Sequence, residues 1–178
     1  MNLQSFWLTA FLVLTTLPGQ AQWYESGKAA PDNEWRQQQA GFGVMLAVSP
    51  DPHAFVQEWY STNESHVPHL NEPDHVKRGD TVGALVFFSG CAAEGEKCDA
   101  LVDFKVLAPD GKVYGEYTGN LLWAQTLGKP TVVALSQANL VVRIEQKDQL
   151  GRYTVLVDVR SPSSKRVFHL KKSFVVEP

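Results

Sequence analysis

Short apolar segments separated by turn signals fill the sequence from Asp80 onward, and this succession constrains the fold more than any other feature. Apolar and polar residues alternate in 100–107, 140–145, 152–160 and 166–176, and no long segment keeps the 3.6-residue period of a helix. Because successive side chains of a strand point to opposite faces, each segment has one face for a core and one for solvent. The pattern predicts an all-β fold with six or seven strands in about 100 residues.

Two local features support this prediction. The segment 81–89 (TVGALVFFS) is apolar at nearly every position, which is typical of a central strand buried on both faces. The tetrapeptide 109–112 (PDGK) joins a proline, which presets φ, to a glycine, which tolerates positive φ. It therefore predicts a hairpin turn between strands at 100–107 and 113–117.

Residues 22–75 are less regular and are predicted to form an N-terminal extension that contains short helices. Asp32 or Asn33 is expected to cap a first short helix that ends at 37–39, because both residue types accept hydrogen bonds from free backbone N–H groups. Gly41 is expected to stop it.

The next part of this region combines a strand, a helix start and a polar connection. The apolar segment 42–48 is predicted to be a strand. Asp51 supplies a capping carboxylate and Pro52 suits the first turn of a helix, so a second short helix is expected to begin there. The polar segment 61–80 is predicted to be a long connection.

The two cysteines of the chain, Cys91 and Cys98, lie between the strand-like segments 81–89 and 100–107. In an oxidising compartment such a pair favours a disulfide, and loop closure over this distance stabilises by about 2.5 kcal/mol. The prediction is a structural bridge at the mouth of a hairpin, outside the core. A redox pair or half of a metal site is the alternative, although the spacing is not Cys-x-x-Cys and the loop holds no histidine.

The first 21 residues are expected to be a signal peptide. An apolar run over 6–17 is followed by breakers at 18–19 and by small residues that favour cleavage after Ala21. The run is about half of the roughly 20 residues that cross a bilayer as a helix. The sequence therefore predicts a periplasmic or secreted protein with no stable membrane anchor after cleavage.

The charges of the chain are nearly balanced and mixed along its length. There are 16 basic and 19 acidic residues, and the formal net charge is −3. No basic face or stripe stands out that would suit nucleic acid or an anionic membrane, so neither is predicted as a partner.

A short pattern near the end of the chain resembles a known structural feature. Asp148, Gly151 and Tyr153 resemble the Asp-x-x-Gly-x-Tyr pattern of immunoglobulin-like sandwiches, and 78–82 (RGDTV) is similar to the turn and strand start of bacterial immunoglobulin-like and macroglobulin-like modules. The resemblance implies an immunoglobulin-like antiparallel β-sandwich over 76–178. It also implies that the Tyr153 hydroxyl bonds to upstream backbone and that Gly151 permits the turn. It does not select a function.

Four of the five histidines are concentrated between residues 53 and 75. Imidazole binds zinc and copper well, so His66, His69 and His75 are the candidate ligands of a metal site. Their spacing matches no standard site, however, and an exposed loop without a cofactor is the favoured interpretation. A small metal-binding protein is therefore the alternative function.

Candidate residues for catalysis are weak, whereas aromatic residues suggest binding. Ser89 ends a strand and does not lie in a Gly-x-Ser-x-Gly elbow, so no enzyme is predicted. Trp59 and Tyr60 precede the polar connection and are of the types enriched at binding hot spots, so they are the candidate binding residues. Packing of the aromatic residues onto the sandwich is the favoured interpretation, and a binding surface is the alternative. The prediction is a non-catalytic, exported interaction module of the cell envelope, which contacts an unknown protein or envelope component through strand edges and aromatic loops.

Overall fold

The computed structural model describes residues 23–25, 28–62, 68–72 and 74–178, so the predicted signal peptide lies outside the described residues. Within them the chain forms twelve strands and one helix. In chain order these are β1 (Tyr24–Glu25), β2 (Lys28–Ala29), β3 (Arg36–Gln39), β4 (Phe42–Ser49), α1 (Pro52–Ser61), β5 (His75–Lys77), β6 (Thr81–Ser89), β7 (Leu101–Leu107), β8 (Val113–Leu121), β9 (Ala134–Leu135), β10 (Leu140–Arg143), β11 (Gly151–Ser161) and β12 (Arg166–Glu177). No helix in this part of the chain is long and apolar enough to cross a membrane.

Two five-stranded sheets pack face to face. Sheet A has the order β10-β6-β4-β3, with β9 also paired to β6, and sheet B has the order β5-β12-β11-β7-β8. Neighbouring strands run antiparallel except β5, which is parallel to β12. Strands β1 and β2 form a separate hairpin. The prediction of an all-β fold built as an antiparallel sandwich is confirmed.

The main core fills the space between the two sheets. Burial alternates residue by residue along β7 and along most of β11, as expected of strands with one face on a core. Phe42 of β4 and Phe168 of β12 meet edge to face across the sheets, with their ring centroids 5.0 Å apart. Burial of these apolar side chains is the main stabilising contribution to the sandwich.

Helix α1 covers the outer face of sheet A. Its start agrees with the prediction, because the Asp51 carboxylate accepts a hydrogen bond from the backbone N–H of Ala54 at 3.0 Å. Phe55 and Trp59 then pack on Phe87 of β6, at centroid distances of 5.8 and 5.1 Å. These rings belong to a second apolar cluster on the side of sheet A away from the main core.

The contact between helix and sheet is close because β6 carries a glycine there. A Cβ atom at Gly83 would lie 2.3 Å from Cβ of Pro52, so only glycine permits this approach. Eight of the nine residues of β6 are buried, between the main core on one face and the helix side on the other. The prediction that 81–89 is a central strand buried on both faces is confirmed.

The short helix predicted to end at 37–39 is wrong, because these residues belong to β3. The side chains of Asp32 and Asn33 do accept backbone hydrogen bonds, at 2.8–3.0 Å, but they close a loop ahead of β3 instead of capping a helix. Ala40 and Gly41 have φ of 46° and 85°, the two positive values that a tight hairpin turn requires. The glycine therefore turns the chain from β3 into β4.

The region predicted to be an N-terminal extension, residues 22–75, contributes β3 and β4 to sheet A. Strand β4 pairs with β6 along seven residue pairs, from Gly43 opposite Ser89 to Ser49 opposite Gly83. The inward side chains of β4 accordingly belong to the main core.

A disulfide joins Cys91 to Cys98, whose Cα atoms are 5.5 Å apart. The predicted hairpin around it is wrong, because β6 lies in sheet A and β7 in sheet B. Each of these strands already has a neighbour on both edges, so neither can pair with the other. The loop instead crosses one end of the sandwich, and Cys98 is buried within the main core rather than outside it.

The edges of the two sheets are tied together on both sides of the sandwich. On one side the Gln37 side chain of β3 donates to the carbonyl of His169 in β12 at 2.7 Å and accepts from its N–H at 3.2 Å. On the other side the Tyr114 hydroxyl of β8 lies 2.8 Å from the carbonyl of Arg143 in β10. The faces of the sheets, more than their edges, are thus the larger surfaces open to a partner.

Candidate functional site

A groove of about 770 Å³ lies on the outer face of sheet B. Its floor consists of outward residues of β7, β8, β11 and β12, and one wall is the turn before β3, at Asn33 and Glu34. The wall is held in place by the backbone, since the N–H of Lys171 donates to the carbonyl of Glu34 at 2.6 Å. The one helix of the described residues packs on the opposite sheet.

The strand register arranges the floor in two rows that run across the sheet. The lysine row consists of Lys171, Leu156, Lys105 and Glu116, on β12, β11, β7 and β8. The aspartate row, one step along the strands, consists of His169, Asp158 and Asp103, on β12, β11 and β7. Adjacent rows therefore differ in charge.

The aspartate row places two carboxylates directly opposite each other on neighbouring strands. Asp103 and Asp158 form such a pair, an arrangement that by itself destabilises a sheet. Partners on both sides offset it: Arg160 forms an ion pair with Asp103, and the backbone N–H of Gly119 donates to Asp103 at 2.6 Å. His169 Nδ1 lies 2.7 Å from Asp158 Oδ1.

The lysine row is held by exposed ion pairs. Lys105 Nζ lies 2.9 Å from Glu116 Oε1, and the hydrogen bond and charge of Glu116 raise the pKa of Lys105, with a further contribution from the charge of Asp158. Lys171 Nζ lies 3.6 Å from Glu34. Because exposed ion pairs contribute little to stability, these charges can be shared with a partner at little cost to the fold.

The outward positions that form this groove could be recognised in the sequence, but the groove could not. The alternation in 100–107 puts Asp103 and Lys105 on the polar face of that segment, and in the structure they lie on the outer face of β7. Alternation along one strand does not tell which residues of other strands lie beside them, because that depends on strand order and register.

The predicted binding residues Trp59 and Tyr60 point to different environments. Trp59 is half-buried in the second apolar cluster, where it contacts the rings of Phe55 and Phe87. Tyr60 is 60% exposed at the end of α1. Of the pair, only Tyr60 presents most of its side chain to solvent, so binding by both residues together stays a prediction.

The histidines predicted as metal ligands do not assemble in the part of the chain that the structure describes. His66 lies outside the described residues, and His69 is exposed. His75 Nδ1 lies 2.7 Å from a carboxylate oxygen of Glu177. Within the described ranges, no group of three or more histidine, cysteine or acidic side chains could hold a metal ion. A zinc or copper site that involves His66 stays a prediction.

The residues predicted to form a tyrosine corner lie at the end of the sandwich opposite the disulfide. The Tyr153 hydroxyl donates to the carbonyl of Gln149, four residues upstream, at 3.1 Å. Gly151 has a φ of 123°, in the region that favours glycine. The Tyr153 ring is buried and stacks on Phe174 at 5.5 Å, so this corner anchors the start of β11 to the core.

Asp148 links this corner to β8. Its carboxylate accepts hydrogen bonds from the backbone N–H of Glu145 at 2.6 Å and from the Tyr114 hydroxyl at 2.5 Å. The bond from Tyr114 lowers the pKa of Asp148, and burial, followed by the interaction with Asp148, raises the pKa of Tyr114. The guanidinium of Arg78 donates to the Asp148 carbonyl. These residues are engaged with one another and serve the fold.

No protein-family model matches the sequence, and no curated protein matches it. Among solved structures, a family 123 glycoside hydrolase from Clostridium perfringens shares 11% identity over 75% of this chain and 27% of its own, with a TM-score of 0.44. An alkylpurine DNA glycosylase from Pseudomonas fluorescens shares 17% over 60% and 28%, with a TM-score of 0.38. A CARDB domain from Pyrococcus furiosus shares 11% over 82% and 97%, with a TM-score of 0.36. The chain spans little more than a quarter of the first two proteins, and scores this low carry no argument about function.

Proposed function

We propose that this chain is a non-catalytic, exported interaction module of the cell envelope, and that it contacts its partner through the outer face of sheet B. The groove with its two charged rows is the observation that carries this proposal. On the other sheet, α1 and its apolar cluster cover the outer face.

The composition of the groove favours recognition of a protein surface. Its lining combines carboxylates, amines, an imidazole and the amides of Asn33 and Gln37 with the apolar side chain of Leu156. Such a surface offers charge complementarity, which confers specificity and speeds association. Its exposed ion pairs can be rearranged by a partner without leaving a buried charge unpaired.

The same geometry supports a non-catalytic role. His169 and Asp158 form the kind of pair that orients a general base. The hydroxyl that lines the groove belongs to Thr118 on β8, which is three strand spacings, or about 14 Å, from His169 on β12. At that distance His169 cannot activate Thr118 as a nucleophile. Asp103 and Asp158 both accept hydrogen bonds from N–H groups, and Asp103 also forms an ion pair with Arg160, so both carboxylates already have partners within the chain.

Export to the envelope is the part of the proposal that rests on the amino-terminal sequence and on the disulfide. A bridge between Cys91 and Cys98 is what an oxidising compartment favours. Fractionation of cells that express the full chain tests this part: the processed protein is expected in the periplasmic or secreted fraction, and recovery of unprocessed, reduced protein from the cytoplasm would contradict it.

Site-specific photo-crosslinking in the same cells tests the binding face. A benzoylphenylalanine in place of Leu156, on the groove floor, is expected to form a higher-mass adduct with one protein that mass spectrometry identifies repeatedly. Leu150 is an exposed leucine in the turn before β11 and provides the matched control, at which no adduct is expected. Tyr60, at the exposed end of α1, provides a third position.

The three positions separate the possible outcomes. Adducts from Leu156 but not from Leu150 support the proposed face. Adducts from Tyr60 alone would move the binding surface to the helix side and contradict the proposal. A lack of adducts at all three positions would contradict an interaction role for this surface.

A further inference from the structure

The outward side chains of β7 form a self-complementary series. Leu101, Asp103, Lys105 and Leu107 alternate with the buried residues of the strand. A half-turn about the middle of the strand exchanges Leu101 with Leu107 and Asp103 with Lys105. Each leucine is then placed over a leucine, and each charge over one of opposite sign.

The neighbouring strand β8 continues this symmetry on the same face. Val113 lies opposite Leu107 and Leu121 lies opposite Leu101 in the strand register, so the half-turn also exchanges these two apolar residues. They are 55% and 52% exposed, although large apolar side chains at such positions contribute nothing to the core. On both strands, therefore, the outward residues are apolar at the two ends and polar in the middle.

From this arrangement we infer that the partner of the outer face of sheet B is a second copy of this chain. The two copies would be related by a two-fold axis that lies in the interface, across the strands, between the aspartate and lysine rows. An isologous interface of this kind requires one surface to be complementary to itself under a half-turn, and the four outward residues of β7 and the apolar ends of β8 meet this condition. This inference rests on the proposed function, because it names the partner for the same face.

Charge distinguishes this orientation from one in which the two-fold axis runs along the strands. With the two-fold axis along the strands, between β11 and β7, Asp158 would face Asp103 of the second copy, and like charges would oppose each other. With the axis across the strands, Asp103 faces Lys105 of the second copy. Each keeps its partner within the chain, Arg160 or Glu116, so the dimer joins two existing ion pairs into one network.

Sedimentation of the purified exported protein over a concentration series tests the inference. The wild-type protein is expected to form dimers reversibly. Asp103→Lys and Lys105→Asp are each expected to raise the dimer dissociation constant at least tenfold, because every substitution acts twice in a two-fold interface. The double variant D103K/K105D exchanges the charges and is expected to recover dimerisation to within a few-fold of wild type.

Substitutions at two equally exposed valines control for effects on folding. Val113→Asp is expected to abolish the dimer, whereas Val132→Asp is not, because Val132 is equally exposed, at 56%, but lies in the loop before β9. A wild-type protein that stays monomeric at all concentrations, or a dimer that Val113→Asp and both charge reversals leave unchanged, would overturn the inference. If the protein is monomeric while the probe at position 156 still crosslinks to a different protein, the proposed function is supported and the inference that the partner is a second copy is refuted.

Discussion

Removal of the disulfide is the perturbation whose effect can be estimated most directly. Cys91 and Cys98 are seven positions apart, so the bridge closes a loop of eight residues. In the chain-entropy model a loop of this size restricts the unfolded chain by about 8 cal/mol/K, which is about 2.5 kcal/mol at room temperature. Reduction of the wild-type protein is therefore expected to lower the free energy of unfolding by about 2.5 kcal/mol.

The position of Cys98 in the core adds a second contribution. Its side chain is 4% exposed and belongs to the main apolar cluster, so replacing it by alanine removes one buried group about the size of a methylene. Burial of such a group contributes about 0.8 kcal/mol. The variant C91A/C98A is expected to lose about 3 kcal/mol, slightly more than the reduced wild type.

Equilibrium unfolding in urea measures both values by linear extrapolation. The oxidised protein, the reduced protein and C91A/C98A are compared at one pH, and a reductant is expected to leave the double variant unchanged. The melting temperature is expected to fall by about 5–10 °C on reduction. A loss below about 1 kcal/mol would show that backbone bonds such as the one from Gly95 to the carbonyl of Leu127, at 2.9 Å, hold the loop without the bridge. A protein that no longer folds would equally refute the estimate.

Three further predictions concern the core and the corner. Tyr153→Phe is expected to lower the free energy of unfolding by about 1 kcal/mol in urea, through loss of the bond to Gln149; an unchanged value would contradict the role of this bond. The pKa of Asp148 is lowered in the folded state, so the stability that its carboxylate contributes is present above its unfolded pKa and is lost as the pH falls through the lower folded value. Tyr114→Phe removes the hydrogen bond that lowers this pKa, so the free energy of unfolding of the variant is expected to depend less on pH in that window. Acid unfolding followed by circular dichroism measures this dependence. Gly83→Ala is expected to destabilise by about 1–3 kcal/mol by thermal unfolding, whereas Gly115→Ala, whose Cβ would approach Val142 only to 3.8 Å, is expected to be tolerated.

The strands could be predicted from the sequence wherever one face is buried and the other is exposed to solvent. Strands β7, β11 and β12 begin and end within one residue or two of their predicted bounds. Strand β6 was recognised by its continuous apolar run, because both of its faces are covered. In each case the periodicity reports burial, which is a property that the sequence records directly.

Local signals were ambiguous where the same side chains serve two purposes. Asp32 and Asn33 accept backbone hydrogen bonds in a loop as readily as at a helix cap, and a glycine after 37–39 suits a hairpin turn as well as a helix end. Strand pairing decides between these alternatives: residues 37–39 form a strand because β3 pairs with β4. The loop from Cys91 to Cys98 is a similar case, since two apolar strands close in sequence can pair in one sheet or pack across two.

The candidate site depends on the feature that the sequence records least, the assignment of neighbours across strands. Leu101, Asp103, Lys105 and Leu107 can be identified as outward residues from alternation alone. Their role in a binding surface can be inferred only once β7 is known to lie between β11 and β8, because this order makes Asp158 and Glu116 their neighbours. The covering of sheet A by α1 adds the second condition, since it leaves the face of sheet B to a partner. A self-complementary series on a covered strand would have no consequence for binding, whereas on this strand it defines the orientation in which a second copy can dock.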